Sequence, residues 1–449
     1  MNKTAFLGDT IVAIITPQGS GAIGVIRLSG PDAIDIAAHY VRTRPSLKRI
    51  ADRTATFARV EDNGHLLDEA LVTVFHSPGS YTGEDVVELS CHGNPFLLQQ
   101  VVALFLRHAR AAGPGEFTQR AFLNDRMDLT RAEAVGDLLA ARTRHMLDAA
   151  AEQLEGRLLH RIVGLLDRLT QRRIQLELEI DFVEQDTPAL DHAVLASQLR
   201  SLADDLAGLS ATGEEGMILR DGLRVVLVGP PNVGKSSIFN AFLQTERAIV
   251  TPEPGTTRDW LEEAVALDGY LVRLFDTAGL RRPADAAERA GIERSRQIVE
   301  QAHSVLLVSD GEEVTPPEYV APERVIRVLN KTDSLPPETV AEFGDKGWVP
   351  CSAVAPGGLD ALKHRLLADI VVDDDELRSG LLTNARQVAA VHKACVALDK
   401  ALRSFDEGLG YEFTAFDLKE ASHALEEVTG HVTTDDILRQ IFTNYCIGK

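Results

Sequence analysis

The chain has 449 residues, of which 45% are hydrophobic and 25% charged, and its formal net charge is −21. At roughly 100–200 residues per domain this length predicts about three domains, and a charged fraction near the average of about 25% excludes a disordered or fibrous chain. The acidic excess excludes indiscriminate binding along a nucleic-acid backbone, which needs surplus Lys and Arg.

Residues 1–122 read as mixed α/β. TIVAIIT and GVIRLSG are strand-like and are joined by the Gly-rich PQGSGAIG. ALVTVF and VVELSCH read as further strands, and PFLLQQVVALFLRHARAAG as an amphipathic helix. From 123 to 216 apolar positions recur three and four apart, as in LLHRIVGLLDRLTQRRIQLELEI, the pattern of long helices. From 217 to 376 strands (LRVVLVG, LVRLFDT, HSVLLVSD, RVIRVLN) alternate with helices, which predicts βαβ units and a parallel sheet. Asp373–Glu376 is an acidic linker, and helical patterning resumes in 377–449. The expected architecture is an N-terminal α/β domain followed by a helical domain interrupted by an inserted Ras-like P-loop domain. Insertion of this kind needs the flanking chain ends to lie close together.

Cys91, Cys351, Cys395 and Cys446 form no C-x-x-C pair, so neither a zinc ribbon nor a disulfide framework is expected. No run of about 18 apolar residues spans a bilayer. The N-terminal MNKTAFLGDTIVAIITPQG reads as a first strand and not as a signal, so the expected setting is reduced and cytoplasmic.

The middle third carries the chemistry. GPPNVGKS at 229–236 fits G-x-x-x-x-G-K-[ST] between a strand and a helix. Gly229 and Gly234 let backbone amides turn toward phosphate oxygens. Lys235 supplies charge to the β- and γ-phosphates, and the Ser236 hydroxyl can ligate Mg²⁺. The expected phosphate contacts are Asn232, Val233, Gly234, Lys235, Ser236 and Ser237. DTAG at 276–279 follows an apolar strand, placing Asp276 to hold the magnesium shell through water and the Gly279 amide to sense the γ-phosphate, with Thr277 and Ala278 as further GTP contacts. NKTD at 330–333 reads the base. The Asp333 carboxylate accepts from guanine N1–H and the exocyclic amine, and adenine offers neither donor there. Asn330, Lys331 and Thr332 complete that loop, and Ser352–Ala353 supports the base. Thr257, in TPEPGTTRD, fits the threonine that completes the magnesium shell. DTAG is weak alone and NKTD alone also matches an ordinary turn, whereas the phosphate loop in its strand–loop–helix setting is specific. Their order and spacing predict a GTPase. The residue after DTAG is Leu280, which cannot orient water, so hydrolysis must draw on other groups.

The whole chain resembles the MnmE (TrmE) family of tRNA-modification GTPases. The resemblance is carried by GEDVVELSCHG, PGEFTQRAFLNDRMDLTRAEA, NVGKSS, GTTRD, DTAGLR with GIER, and the terminal CIGK. It implies activation by K⁺, held by Asn232, by backbone oxygens of Thr251 and Glu253, and by Thr256. A cation beside the β–γ bridge would neutralise developing charge as an arginine finger does. Pro252 and Pro254 flank Glu253 in this loop, but Glu253 needs only its carbonyl. The resemblance puts the water-positioning carboxylate on Glu288, otherwise an ordinary helix acid.

It further implies a tetrahydrofolate-binding N-terminal domain, for 5-formyl- or methylene-tetrahydrofolate, with Arg27, Glu88, Arg126 and Lys449 as contacts. Arg126 stands where part of the family has Lys, which keeps charge and changes geometry. Without the resemblance, Arg27 and Glu88 read as strand residues facing solvent. Cys446 by itself reads as a frayed terminal thiol, and CIGK fits a prenylation box badly. The resemblance makes it a functional thiol. The implied assembly is a homodimer with an FAD-binding partner, MnmG, in a heterotetramer. The implied reaction is attachment of an aminomethyl-type or carboxymethylaminomethyl group at C5 of the wobble uridine of certain tRNAs. Residues 107–173 hold 12 Arg against 9 Asp and Glu, read first as helix-surface ion pairs and second as a tRNA footprint. The alternatives are a ribosome-assembly or scaffold GTPase without folate chemistry, and a one-carbon enzyme in which GTP is only regulatory.

Overall fold

The computed structural model describes residues 8–181, 191–245, 247–248, 262–276, 296–368, 380–432, 434–443, 445 and 448. It forms two compact units, residues 1–136 with 426–449 and residues 137–425.

The first unit is built on a seven-stranded sheet. In chain order its strands are β1 (Ile11–Ile14), β2 (Ile23–Ser29), β3 (Val41–Thr43), β4 (Thr56–Asp62), β5 (His65–Phe75), β6 (Val86–His92) and β7 (Arg110–Ala111). The spatial order is β3-β4-β5-β6-β2-β1-β7. All neighbours are antiparallel except β1 and β7. Alternation sorts the side chains. Val12, Ile26, Leu28, Val72, Val74, Val87 and Leu89 pack against α1 (Ala33–Tyr40) and α2 (Pro95–Phe105). On the other face Ile11 and Ala13 meet Phe117 of α3 (Glu116–Leu123).

The helix expected over 95–113 stops at Phe105. Arg110 and Ala112 instead donate their amides to Thr10 and Val12, making β7 an edge strand. Arg110 is drawn there by ion pairs to Asp9 and Glu116. Arg120 of α3 is 1% exposed. Its guanidinium bonds Asp9, Glu84 and Glu116 at 2.6–3.2 Å. Leu129 and Ala132 of α4 (Leu129–Ala140) share a small core with Leu438 and Phe442 of the helix Asp435–Thr443.

The second unit holds α5 (Arg144–Glu155), α6 (Arg157–Asp181) and α7 (His192–Asp221), then a second seven-stranded sheet. Its strands are β8 (Leu223–Val228), β9 (Arg247–Ala248), β10 (Glu262–Leu267), β11 (Tyr270–Asp276), β12 (Ser304–Ser309), β13 (Val325–Leu329) and β14 (Val349–Pro350). Their order is β14-β13-β12-β8-β11-β10-β9. β8, β11, β12, β13 and β14 run parallel, and β10 and β9 are antiparallel additions. The near-continuous apolar runs of β8 and β12 are what a strand covered on both faces requires. The helices α8 (Lys235–Thr245), α9 (Pro337–Asp345) and α10 (Asp360–Leu367) accompany it. After the sheet come α11 (Ala385–Asp406) and α12 (Tyr411–Thr429).

α7 buries Leu195, Leu199, Leu202, Leu206 and Leu209, and α11 buries Ala390, Val391, Ala394, Leu398 and Ala401. These stripes, spaced three and four apart, bring the two helices together on either side of the sheet-bearing segment in sequence. Gln153 of α5 ties that junction, donating to Leu381 O and Thr383 Oγ1 at 3.0 and 2.8 Å. Among the described residues no helix is long and apolar enough to cross a membrane.

Candidate functional site: the phosphate and base loops

β8 ends in the loop Gly229–Gly234, which opens α8. Gly229 sits at φ +148°, and a Cβ there would lie 2.3 Å from Val308 O of β12. The glycine is what lets the loop cross the central strands closely. Lys235 is 7% exposed. Its ammonium donates to Gly229 O and Pro230 O at 2.9 and 2.6 Å, so it is held inside the loop it serves. The N-terminus of α8 opens directly onto this loop, and a helix N-terminus is a natural anion site.

Ser236 Oγ donates to Asp276 Oδ2 at 2.7 Å. Asp276 closes β11, which lies directly beside β8. A hydroxyl and a carboxylate in contact beside a phosphate loop are the hard oxygen donors that Mg²⁺ selects, so these two residues fit the ion. Ser237 is exposed on α8.

The base loop follows β13. Asn330 is 1% exposed and donates through Nδ2 to Val233 O at 2.9 Å. A Cβ on Gly234 would come within 2.2 Å of that nitrogen. Lys331, at φ +60°, donates to Asn232 O at 2.8 Å and pairs with Asp310 at 2.6 Å. The two loops, nearly a hundred residues apart in sequence, are therefore pinned together. Thr332 Oγ1 donates to Cys351 O at 2.9 Å. Asp333 Oδ1 accepts from Ser352 Oγ at 2.6 Å and Oδ2 from Ser334 Oγ at 2.9 Å. The Ser352 bond, then the Ser334 bond, holds the Asp333 carboxyl below the usual carboxylate range. It is thus an ionised double acceptor, which guanine requires. Ser352 is buried, and Ala353 packs on the core under the sheet.

Sequence reasoning missed Asp310 and Ser334. Their signal was adjacency, Asp310 closing the strand SVLLVSD and Ser334 following NKTD. Thr251, Glu253, Thr256, Thr257, Thr277, Ala278, Gly279, Glu288, Cys446 and Lys449 lie outside the described residues.

In the first unit Arg27 and Glu88 are register partners across β2 and β6. They are not the solvent-facing strand residues that an isolated reading expects. Arg27 donates through Nε to Glu88 Oε1 at 2.8 Å, with Nη2 ion-paired to the same oxygen at 2.7 Å, and its guanidinium lies 5.3 Å from the ring centres of Tyr81 and Phe117. Both residues are only partly exposed. Among the described residues Glu88 Oε2 takes no hydrogen bond. Arg126 is exposed and donates from Nε to Ser80 O at 3.2 Å, beside Tyr81 in sequence. The arginine-rich segment is largely engaged. Arg107, Arg110, Arg120, Arg144, Arg157, Arg168 and Arg173 all form ion pairs with carboxylates.

Burial pushes the Cys91 thiol up to about 12, helped by Asp68, and burial pushes Cys351 to about 12 as well. Burial also raises Cys395. Burial therefore disfavours the thiolate, the reactive form, at all three. The native protein at pH 8 is therefore expected to show one fast thiol toward a disulfide reagent. Cys446→Ser should remove it, and fast labelling of Cys91 or Cys351 would contradict this.

A phosphate loop, a Ser–Asp oxygen pair beside it and an Asp-bearing base loop at the C-terminal ends of parallel strands define a P-loop GTPase. The comparisons narrow the class. Residues 10–126 match the GTP-binding protein TrmE N-terminus and residues 129–446 the MnmE helical domain. The chain is 41% identical to the tRNA modification GTPase MnmE of Syntrophus aciditrophicus, over 99% of this chain and 100% of that one. It is 41% identical to that of Koribacter versatilis (99% and 100%) and 39% identical to that of Aquifex aeolicus (98% and 100%). The chain belongs to the MnmE family of tRNA modification GTPases. Among solved structures, the G domain of the T. maritima FeoB iron transporter is 27% identical over 32% of this chain and 97% of that one, with a TM-score of 0.23.

Proposed function

We propose that this protein is a potassium-activated GTPase that acts with an FAD-dependent partner of the MnmG type. Together they modify C5 of the wobble uridine of certain tRNAs, with a tetrahydrofolate derivative as one-carbon donor. The observation that carries the reading is the full-length likeness to MnmE relatives, joined to two separate sets of residues, the GTP loops and the Arg27–Glu88 pair. Arg27 holds Glu88 through Oε1, and in this reading Oε2 accepts from the ligand's donors. A reduced pterin offers such donors in pairs.

The domain layout proposed with it is 1–122 for folate and dimerisation, 123–216 and 377–449 for the helical domain, and 217–376 as an inserted GTPase domain. In the GTPase cycle Lys235 neutralises phosphate charge, and Ser236, Asp276 and Thr257 serve Mg²⁺. Asn232, at φ +66° with an exposed side chain, joins Thr251, Glu253 and Thr256 around K⁺. Bound K⁺ supplies positive charge where the β–γ bridge becomes more negative. Glu288 orients water in place of the glutamine that Leu280 replaces. The protein is proposed to work in the cytoplasm as a homodimer, within a heterotetramer.

The deciding experiment is nucleoside analysis of tRNA from cells lacking this protein, with and without its gene restored. Loss of the modified wobble uridine and its recovery are expected, and an unchanged nucleoside profile would refute the reading. GTP hydrolysis in KCl should exceed that in NaCl at equal ionic strength by about 100-fold or more, the scale of one charge-stabilising donor. Equal rates would remove the potassium assignment.

A further inference from the structure

A cavity of about 210 Å³ lies where three helices of the second unit meet, at the start of α7, the end of α11 and the start of α12. His192, Phe405 and Tyr411 line it with rings. The His192 and Phe405 rings stack with centres 4.0 Å apart and an 18° tilt. Phe405 and Tyr411 stand 6.2 Å apart at 25°. The three faces are therefore nearly parallel. The turn between α11 and α12 is built on glycine. Gly408 and Gly410 sit at φ +67° and +123° and both line the space, so neither contributes a side chain that would fill it. His192 is itself exposed, which leaves a way in from solvent. None of these residues belongs to the phosphate or base loops.

Polar groups on the wall are few. The Ser404 hydroxyl is engaged with Asp417. Thr414 also lines the cavity and is 0% exposed, and among the described residues its Oγ1 has no hydrogen-bond partner. A helical threonine ordinarily returns its hydroxyl to the carbonyl four residues back, which here belongs to Gly410. Leaving a buried hydroxyl unmet is costly, and native proteins do so seldom. Water answers it poorly, because a well-held water needs about two to four polar partners and this wall is mainly ring and glycine. A dry cavity of roughly 150 Å³ takes one benzene, so this one has room for a single ring with a polar substituent.

We propose that this cavity binds a small planar aromatic molecule carrying one hydroxyl or amino group, of the phenol or arylamine class. Nearly parallel aromatic walls favour a flat guest over an aliphatic one of the same volume. The guest's polar group meets Thr414 Oγ1, which both donates and accepts. The inference is independent of the folate and tRNA readings above.

The test titrates full-length protein with three probes followed by ligand-observed NMR: phenol, toluene, which has the ring without the hydroxyl, and cyclohexanol, which has the hydroxyl without the flat ring. Wild type should bind phenol saturably with a Kd on the order of 1 mM. Toluene should bind about 5-fold more weakly for want of one hydrogen bond, and cyclohexanol about 5-fold more weakly for want of aromatic contact. Thr414→Val keeps the side chain's shape and should abolish the preference for phenol over toluene, with toluene affinity within about 2-fold of wild type. GTP hydrolysis should also stay within about 2-fold, since the nucleotide loops are intact. No saturable binding of phenol, equal affinity for all three probes, or an undiminished phenol preference in Thr414→Val would overturn the proposal. If Thr414→Val fails to fold, Tyr411→Leu decides. It should weaken phenol binding by about 5-fold or more, and an unchanged affinity would overturn the assignment.

Discussion

Asp333→Asn should lower the affinity for GTP by about 10³-fold or more, the range in which a site built to pair polar groups rejects a mismatched partner. The carboxylate accepts from two guanine donors. An amide offers one acceptor and sets an N–H against an N–H. Ser352 and Ser334 hold both oxygens in place at 2.6 and 2.9 Å, so the side chain cannot rotate away cheaply. The same variant should gain affinity for xanthosine triphosphate, whose C2 oxygen accepts from the new amide. Competition against a fluorescent GDP reads both changes. A variant that kept its preference for GTP over xanthosine triphosphate would show that Asp333 does not read the base. Ser352→Ala should be milder, about 5-fold, because one hydrogen bond is lost and the charge remains.

Arg120→Met should destabilise the first unit by about 3–5 kcal/mol, the usual result of stripping the cation from buried carboxylates. Arg120 is 1% exposed, while Glu84 and Glu116 are themselves 10% and 8% exposed. Amide exchange in β1 and β2 is the measurement, and protection equal to wild type would contradict the prediction. The same cluster sets an acid limit. Burial alone would raise the carboxyls of Asp9 and Glu116. Hydrogen bonds from Arg110 and Arg120 outweigh burial and hold both below their ordinary values. A carboxyl depressed in the folded state contributes stability above its unfolded value, and that contribution is lost as pH falls through the folded one. The first unit should therefore weaken below about pH 4, the ordinary carboxylate range. It should already be weakened at neutral pH in Arg120→Met.

The GTP loops were readable because phosphate, magnesium and guanine each demand particular residue types at fixed offsets from a strand end. Lys235, Ser236, Asp276 and Asp333 could be assigned roles without coordinates for that reason. What pins the loops together was not readable. Asn330 and Lys331 serve the phosphate loop through backbone carbonyls of Val233 and Asn232, and a carbonyl leaves no mark in sequence. The Arg120 cluster escaped for another reason. Asp9 and Arg120 are 111 positions apart, and nothing local distinguishes a buried arginine from the exposed ones around it. Arg27 and Glu88 alternated correctly as strand residues, but the cover from Tyr81 and Phe117 comes from other parts of the chain. The helix expected to 113 was cut short by the same long-range charges, because Arg110 found better partners in an edge strand.

The composition of the first unit bears on how the protein is made. Its parts are residues 1–136 and 426–449, with the whole of 137–425 between them. Leu129 and Ala132 wait for Leu438 and Phe442 to close their core. On the ribosome the N-terminal sheet can form early, yet this seam stays open until the second unit has been synthesised. Domains generally fold as units in order of emergence. Here the first to begin is the last to finish, and the apolar face of α4 that Leu438 and Phe442 cover is completed only at the end of the chain.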